Sequence, residues 1–155
     1  MNNLVLFYSR SNRTKIVATK IAEELNCDKE EIIDLKNRRG ILGWIIAGKD
    51  AIQKKLTEIK PITKNLDSYE HIIIGTPVWA GNITPAIRTF VKNYYKKFKK
   101  VIFFCTMASS GDKNIFKELE LLCEQKPVLN LSIKQAEIIT GKYIEKIKTT
   151  FENFK

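Results

Sequence analysis

The chain has 155 residues, enough to bury one full core and too few for two. Apolar residues make up 44% and charged residues 28%, a globular balance that excludes a disordered chain, and no apolar run approaches the roughly 20 residues of a membrane-spanning helix. The formal net charge of +10 favours acidic partners.

In chain order, LVLFYS (4–9) is the first of three apolar runs. Residues 13–26 then show helical periodicity, with Ile16, Val17, Ile21, Ala22 and Leu25 on one stripe. EIIDL (31–35) is a short strand candidate. The segment RRGILGWIIAGKDAIQKKLTEIKP (38–61) seats a helix on Ile41, Trp44, Ile45, Ala51, Ile52 and Leu56. Gly40, Gly43 and Gly48 loosen its early part, Pro61 ends it, and Trp44 is assigned to the core. HIIIGT (71–76) is the second apolar run. A helix over 84–98 follows on Ile87, Phe90, Val91, Tyr94 and Phe98, and VIFFCT (101–106) is the third run. Residues 112–124 form a helix on Phe116, Leu119 and Cys123. VLNLSI (128–133) forms a strand, and 141–154 a last helix on Tyr143, Ile144, Ile147 and Phe151. The three strong runs are rich in Val, Ile and Phe and lack alternation, as strands covered on both faces do.

Strands alternating with helices predict a single α/β domain over residues 1–155. The expected architecture is a doubly wound five-stranded parallel sheet in the order 2-1-3-4-5, with helices on both faces. Ligands bind such sheets beyond the carboxyl ends of the strands, at the switch point between strands one and three.

Between Glu70 and Asp112 there is no acidic residue, while Arg88, Lys92 and Lys96 share a helical face with further lysines behind them. That face is either plain solvated surface or a docking face for an acidic protein. No nucleic-acid motif accompanies it. MNNLVLFYS has neither a basic leader nor a cleavage site. Cys27, Cys105, Cys123 and the one histidine, His71, make a poor metal set. The expectation is a cytoplasmic protein with reduced thiols and no metal site, a monomer or homodimer.

Each strong run ends in a hydroxyl, Ser9, Thr76 or Thr106, and opens into a small, polar loop: RSNR, PVWAGN and MASSGD. In a parallel sheet these loops share one edge. The first offers Ser9, Ser11, Asn12 and Thr14 together with the N-terminus of a helix beginning near Arg13, parts that suit a terminal phosphate. Plain N-capping by Ser11 or Asn12 uses the same residues. It matches neither the nucleoside-triphosphate nor the dinucleotide fingerprint. In the second loop, Trp79 between Thr76-Pro77 and Gly81 either stacks on a flat ligand or folds back into the core. Phosphate at one loop and a flat ring at the next describe a mononucleotide, with flavin mononucleotide (FMN) the natural candidate.

VLFYSRSNRTKIVATKI (5–21) resembles the phosphate-loop signature of the flavodoxins and flavodoxin-like flavoproteins, with Asn12 where that family usually has Gly, Ala or Cys. IIIGTPVWAGNITPAIRTFV (72–91) and FFCTMASSGD (103–112) look like the family's two ring loops. By that resemblance Ser9, Arg10, Ser11, Asn12, Arg13 and Thr14 surround the FMN phosphate. Thr76, Pro77, Val78, Trp79, Ala80, Gly81 and Asn82 line one side of the ring. Thr106, Met107, Ala108, Ser109, Ser110 and Gly111 line the other and donate backbone N–H groups to its pyrimidine carbonyls. The third loop lacks the aromatic many flavodoxins have there, which leaves that side open. The Ala80–Gly81 peptide is where the family's reorienting loop bond would fall.

No His or Cys lies in the loops, and Asp112 at the end of the third is assigned to capping the next helix. The resemblance therefore implies electron transfer through FMN to a redox partner, with an acidic docking face on that partner. A small NAD(P)H-dependent FMN or quinone reductase is the alternative, and a cofactor-free binding module the third reading.

Overall fold

Central strands that are apolar on both faces need cover on both, and a chain that alternates strands with helices supplies it. The computed structural model describes residues 2–154. Strands β1 (Asn3–Phe7), β2 (Asp28–Glu31), β3 (His71–Pro77), β4 (Lys100–Met107) and β5 (Asn130–Lys134) form one parallel sheet in the order β2-β1-β3-β4-β5. Helices α1 (Arg13–Glu24), α2 (Gly40–Ile52), α3 (Pro85–Tyr94), α4 (Asp112–Cys123), α5 (Gln135–Ile139) and α6 (Lys142–Phe151) connect and cover it.

Successive side chains on a strand point to opposite faces. Leu4, Leu6, Ile72, Ile74 and Phe103 pack with Ile87 and Phe90 of α3 and with Ile115 and Leu119 of α4. Val5, Phe7, Ile73, Ile102 and Phe104 pack on the other face with Val17 and Ile21 of α1 and with Ile147 and Phe151 of α6. Each such buried side chain contributes about 2 kcal/mol. Gly75 lies directly under the Phe104 ring, where a Cβ would overlap it, so that position on β3 admits no side chain.

Several elements sit differently from the sequence expectation. β2 is Asp28–Glu31, upstream of the expected 31–35: it pairs on one side only, so polar residues serve it, and Ile32 enters the core just after it. β5 starts at Asn130, leaving Val128 exposed. α5 precedes α6 as an unanticipated short helix, and α3 tightens into a 3-10 turn over Tyr95–Lys97. Ile16 stands exposed beside its stripe. Arg88 is only 5% exposed and meets Glu118 at 2.7 Å, so it does not belong to a solvated stripe with Lys92 and Lys96.

The largest departure is in α2. Of the residues expected to seat this helix only Ala51 is buried; Ile41, Trp44, Ile45 and Ile52 are exposed, as is Leu56 beyond its end. What the helix buries is Gly43, Ala47, Asp50 and Ala51. Asp50 accepts from Lys36 Nζ at 2.7 Å and from Arg38 Nη1 at 2.9 Å, while Arg38 Nε donates to Asp34 at 2.6 Å. Burial opposes ionisation of Asp50, yet the Lys36 and Arg38 hydrogen bonds hold its carboxyl below the usual range. A Cβ at Gly43 would overlap the Arg38 carbonyl, so small residues and one ion cluster seat α2 where large apolar residues were expected.

His71, at the start of β3, is buried with Nδ1 3.0 Å from Asn3 Oδ1 and its ring edge-on to Phe154. Burial first, then the Lys100 charge, holds its pKa below the ordinary 6.5, with Glu70 opposing. Below 6.5 the unfolded chain therefore takes up a proton that the native ring refuses, and stability falls with pH until the native ring is itself protonated. Urea denaturation across that window should show this loss in the wild type and a flatter profile in His71→Asn. Equal slopes would remove His71 as its source.

Candidate functional site

Reversal of strand order between β1 and β3 opens a crevice above the sheet's carboxyl edge, and the loops after β1, β3 and β4 enter it. In the first loop Ser9 Oγ accepts from the backbone N–H of Lys15, the third residue of α1, at 3.2 Å. The cap is therefore made by Ser9, while Asn12 at the N-cap position makes no side-chain cap. Asn12 instead takes a left-handed backbone, φ 64°, which Asn tolerates better than most residues. Arg13 and Thr14 at the first two helical positions keep N–H groups without intrahelical partners. Thr14 Oγ1 lies 2.7 Å from Thr106 Oγ1, buried, tying the first loop to the third. Arg10 reaches across to α2: its guanidinium donates to the carbonyls of Arg38 (2.8 Å) and Gly40 (3.1 Å), clamping the start of that helix.

The second loop closes on itself. Trp79 and Asn82 exchange backbone hydrogen bonds at 3.0 and 2.9 Å around Ala80 (φ 49°) and Gly81 (φ 74°), the two positive values of a type I′ turn. Asn82 Nδ2 donates to the Ala80 carbonyl at 2.8 Å and Asn114 Nδ2 to the Gly81 carbonyl at 2.7 Å. Thr76 is buried and donates to the Pro77 carbonyl, so it shapes the loop from behind. Trp79 is half-buried, neither free nor lost to the core. Tyr8 packs edge-on at 5.5 Å and 85°, and the Arg38 guanidinium carbon lies 5.8 Å from the indole ring centre.

The third loop exposes Ala108, Ser109 and Ser110. Gly111 (φ 112°) occupies the N-cap position of α4, so Asp112 is the first helical residue and not the expected cap. A Cβ at Gly111 would come within 2.8 Å of Val78 Cγ1, which shows how closely the second and third loops approach.

Between the loops lies a cleft of about 730 Å³. Arg10, Ser11 and Arg13 line it from the first loop, Pro77, Val78, Trp79 and Ala80 from the second, and Thr106, Met107 and Ala108 from the third. Ser9, Asn12, Thr14, Thr76, Gly81, Asn82, Ser109, Ser110 and Gly111 shape these loops without lining the cleft. A further wall lay outside the sequence expectation: Trp44, Ile45, Ala47, Gly48, Lys49, Ile52 and Gln53 of α2 and its end, and Gln135 and Ile138 of α5. Its signal was present in GILGWIIAG, whose apolar residues spread round the helix instead of keeping one stripe.

The lining carries Arg10, Arg13 and Lys49 and no carboxylate, histidine or cysteine. Burial pushes Tyr8 up to about 12 and the Cys105 thiol to about 12, so neither supplies a proton or a nucleophile near neutrality. With a helix N-terminus and Arg13 in the first loop and Trp79 in the second, the cleft fits a phosphorylated planar molecule such as FMN.

The sheet order, the crevice and its loops define the flavodoxin-like class of α/β proteins. The chain belongs to the flavodoxin family, whose model, described as Flavodoxin, matches residues 2–154. No curated protein matches the chain. Among solved structures, a flavoprotein from Lactobacillus acidophilus NCFM in complex with FMN is 24% identical, with 90% of this chain and 97% of that one covered at a TM-score of 0.75. A protein from Bacteroides uniformis ATCC 8492 is also 24% identical, with 95% and 97% covered at 0.76. Oxidised Flavodoxin 1 from Bacillus cereus is 17% identical, with 95% of each chain covered at 0.56. At these identities the likeness is one of fold.

The left-handed corner at Asn12 gives a simple test of the loop. Asn12→Ala should cost about 1 kcal/mol, while Asn12→Gly should be neutral or stabilising by up to about 1 kcal/mol. Thermal or urea denaturation reads both, and equal losses would mean that the side chain, not the backbone, matters there.

Proposed function

We propose that the chain binds FMN in this cleft as a single functional unit and passes electrons between the flavin and a redox partner. One observation carries the reading: three loops from adjacent strand ends face one cleft, with the first a helix N-terminus and the second a braced tryptophan. The Ser11 hydroxyl and the N–H groups of Arg13 and Thr14 at the start of α1 hold the terminal phosphate, with Ser9 and Asn12 shaping that loop and Arg10 fixing the α2 wall beside them. Residues 76–82 cover one side of the ring, Trp79 foremost, and residues 106–111 present N–H groups to its other edge. The bound flavin supplies the redox chemistry; the protein orients it, shields it and sets the charge around it.

Family membership and the FMN carried by the Lactobacillus flavoprotein support this reading. The exposed lysines Lys92, Lys96 and Lys99 suit an acidic redox partner. A second reading, an FMN-dependent reductase acting on a small molecule, draws on the apolar α2 wall, which extends the cleft beyond Trp79. Adding FMN to the protein should quench flavin fluorescence at one site per chain, and Trp79→Ala should weaken binding roughly tenfold. Loss of quenching in the wild type would refute the assignment. Anaerobic addition of NAD(P)H to the loaded protein then separates the readings: rapid bleaching marks a reductase, and a slow response marks a carrier reduced by its partner.

The Ala80–Gly81 turn sets a further expectation. Reorienting its central peptide converts a I′ turn into II′, where the first central position favours glycine. Ala80 and the two asparagine hydrogen bonds resist that change. Ala80→Gly should therefore widen the gap between the two one-electron midpoint potentials of the bound flavin. An unchanged gap in potentiometric titration would show that this peptide does not move.

A further inference from the structure

We infer that α2 is a docking ridge for the surface of an anionic lipid bilayer. This goes beyond flavin binding and does not require it. The helix is inside out: its buried side is Gly43, Ala47, Asp50 and Ala51, while Ile41, Leu42 and Trp44 are 81%, 76% and 65% exposed. Ile45, Ile46 and Ile52 are exposed beside them. At 3.6 residues per turn these six side chains sweep an arc of about 200°. Apolar surface left in water on a thirteen-residue helix adds nothing to folding, and a contiguous patch of it marks an interaction surface. α2 packs extensively on no other helix or strand of the described residues and is moored through the Arg38–Asp50 cluster, so its large side chains are free to meet a second phase.

Charge selects the occupant. Between Lys36 and Thr57 the only acidic residue is Asp50, and it is buried against Lys36, Arg38 and Lys55. Arg39, just ahead of the helix, and Lys49, within the apolar arc, are both exposed. A second copy of this chain would bring like charges together across a twofold axis. Ile41, Leu42 and Ile46 stand outside the cleft lining, so an occupant of the cleft alone leaves that part of the arc uncovered. A fluid apolar layer with an anionic surface answers both features: Ile and Leu enter the acyl boundary, Trp44 sits at headgroup level, and the exposed cations Arg39 and Lys49 reach lipid phosphates. No helix of the described residues is long and apolar enough to cross a membrane, so the helix would lie in the interface. The cleft, walled by Trp44, Ile45 and Ile52, then opens at the lipid surface.

The test is co-sedimentation of the full-length, FMN-supplemented protein with vesicles of phosphatidylcholine alone or mixed equally with phosphatidylglycerol. Binding should be at least about tenfold stronger to the anionic vesicles and should weaken with salt. The double variant Ile41→Asp/Leu42→Asp should lose binding by about tenfold or more, and Arg39→Glu by roughly fivefold. These exposed positions lie outside the cleft lining, so retained FMN quenching shows that each variant has folded and keeps the two proposals separable. Arg39→Glu leaves the apolar ridge untouched and carries the test should the double variant not fold. Equal binding to neutral vesicles, binding to neither, wild-type binding by the variants, or a dimer in ultracentrifugation that the double variant abolishes would each overturn the inference. So would capture of a polyglutamate peptide by the ridge without vesicle binding.

Discussion

The structure depends on one constraint: a parallel sheet buried on both faces must reverse its winding somewhere. It does so between β1 and β3. On one side of that point the connection leaves through α1 and on the other through α3, so no helix covers the carboxyl ends of the two strands. The three loops after β1, β3 and β4 border a cleft there. The most buried part of the chain thereby positions its least buried chemistry. Phe7, Ile73 and Phe103 hold the strands, and the Thr14–Thr106 hydroxyl contact and the Val78–Gly111 approach hold the loops to them.

Within this frame Trp79 is braced in the second loop, and Arg13 stands at the helix N-terminus in the first. Trp79 is braced by Tyr8 and Arg38 before any ligand arrives, so less side-chain freedom is lost on binding. Arg38 belongs at once to the brace and to the ion cluster that moors α2, linking the indole to the helix that forms the far wall. A change in the seat of α2 is thus felt at Trp79.

Much of the fold was legible because strong signals were redundant. Unbroken Val, Ile and Phe runs mark β1, β3 and β4, and the periodicity of 13–26 and 84–98 marks α1 and α3. The edge strand β2 was misplaced because its residues, DKEE, carry no apolar signal at all. Of the site, the loop positions were legible from where the apolar runs stop. The division of labour inside them was not: Ser9 makes the cap that plain capping by Ser11 or Asn12 had offered as the alternative, and Arg10 serves α2. Trp44 was assigned inward by a rule that fails where small residues and a buried carboxylate seat a helix in place of large side chains. That inversion depends on Asp34, Arg38 and Asp50 meeting in space, which spacing along the chain does not reveal.

The central claim is that the loops after β1, β3 and β4 act together on one FMN. Backbone amide chemical shifts of labelled protein, followed by NMR as FMN is added, test it most directly. Saturable changes at one equivalent, concentrated in residues 9–14, 76–82 and 106–111, are the predicted result. Shifts missing from any one of the three loops, or scattered over the sheet's opposite edge, would contradict it.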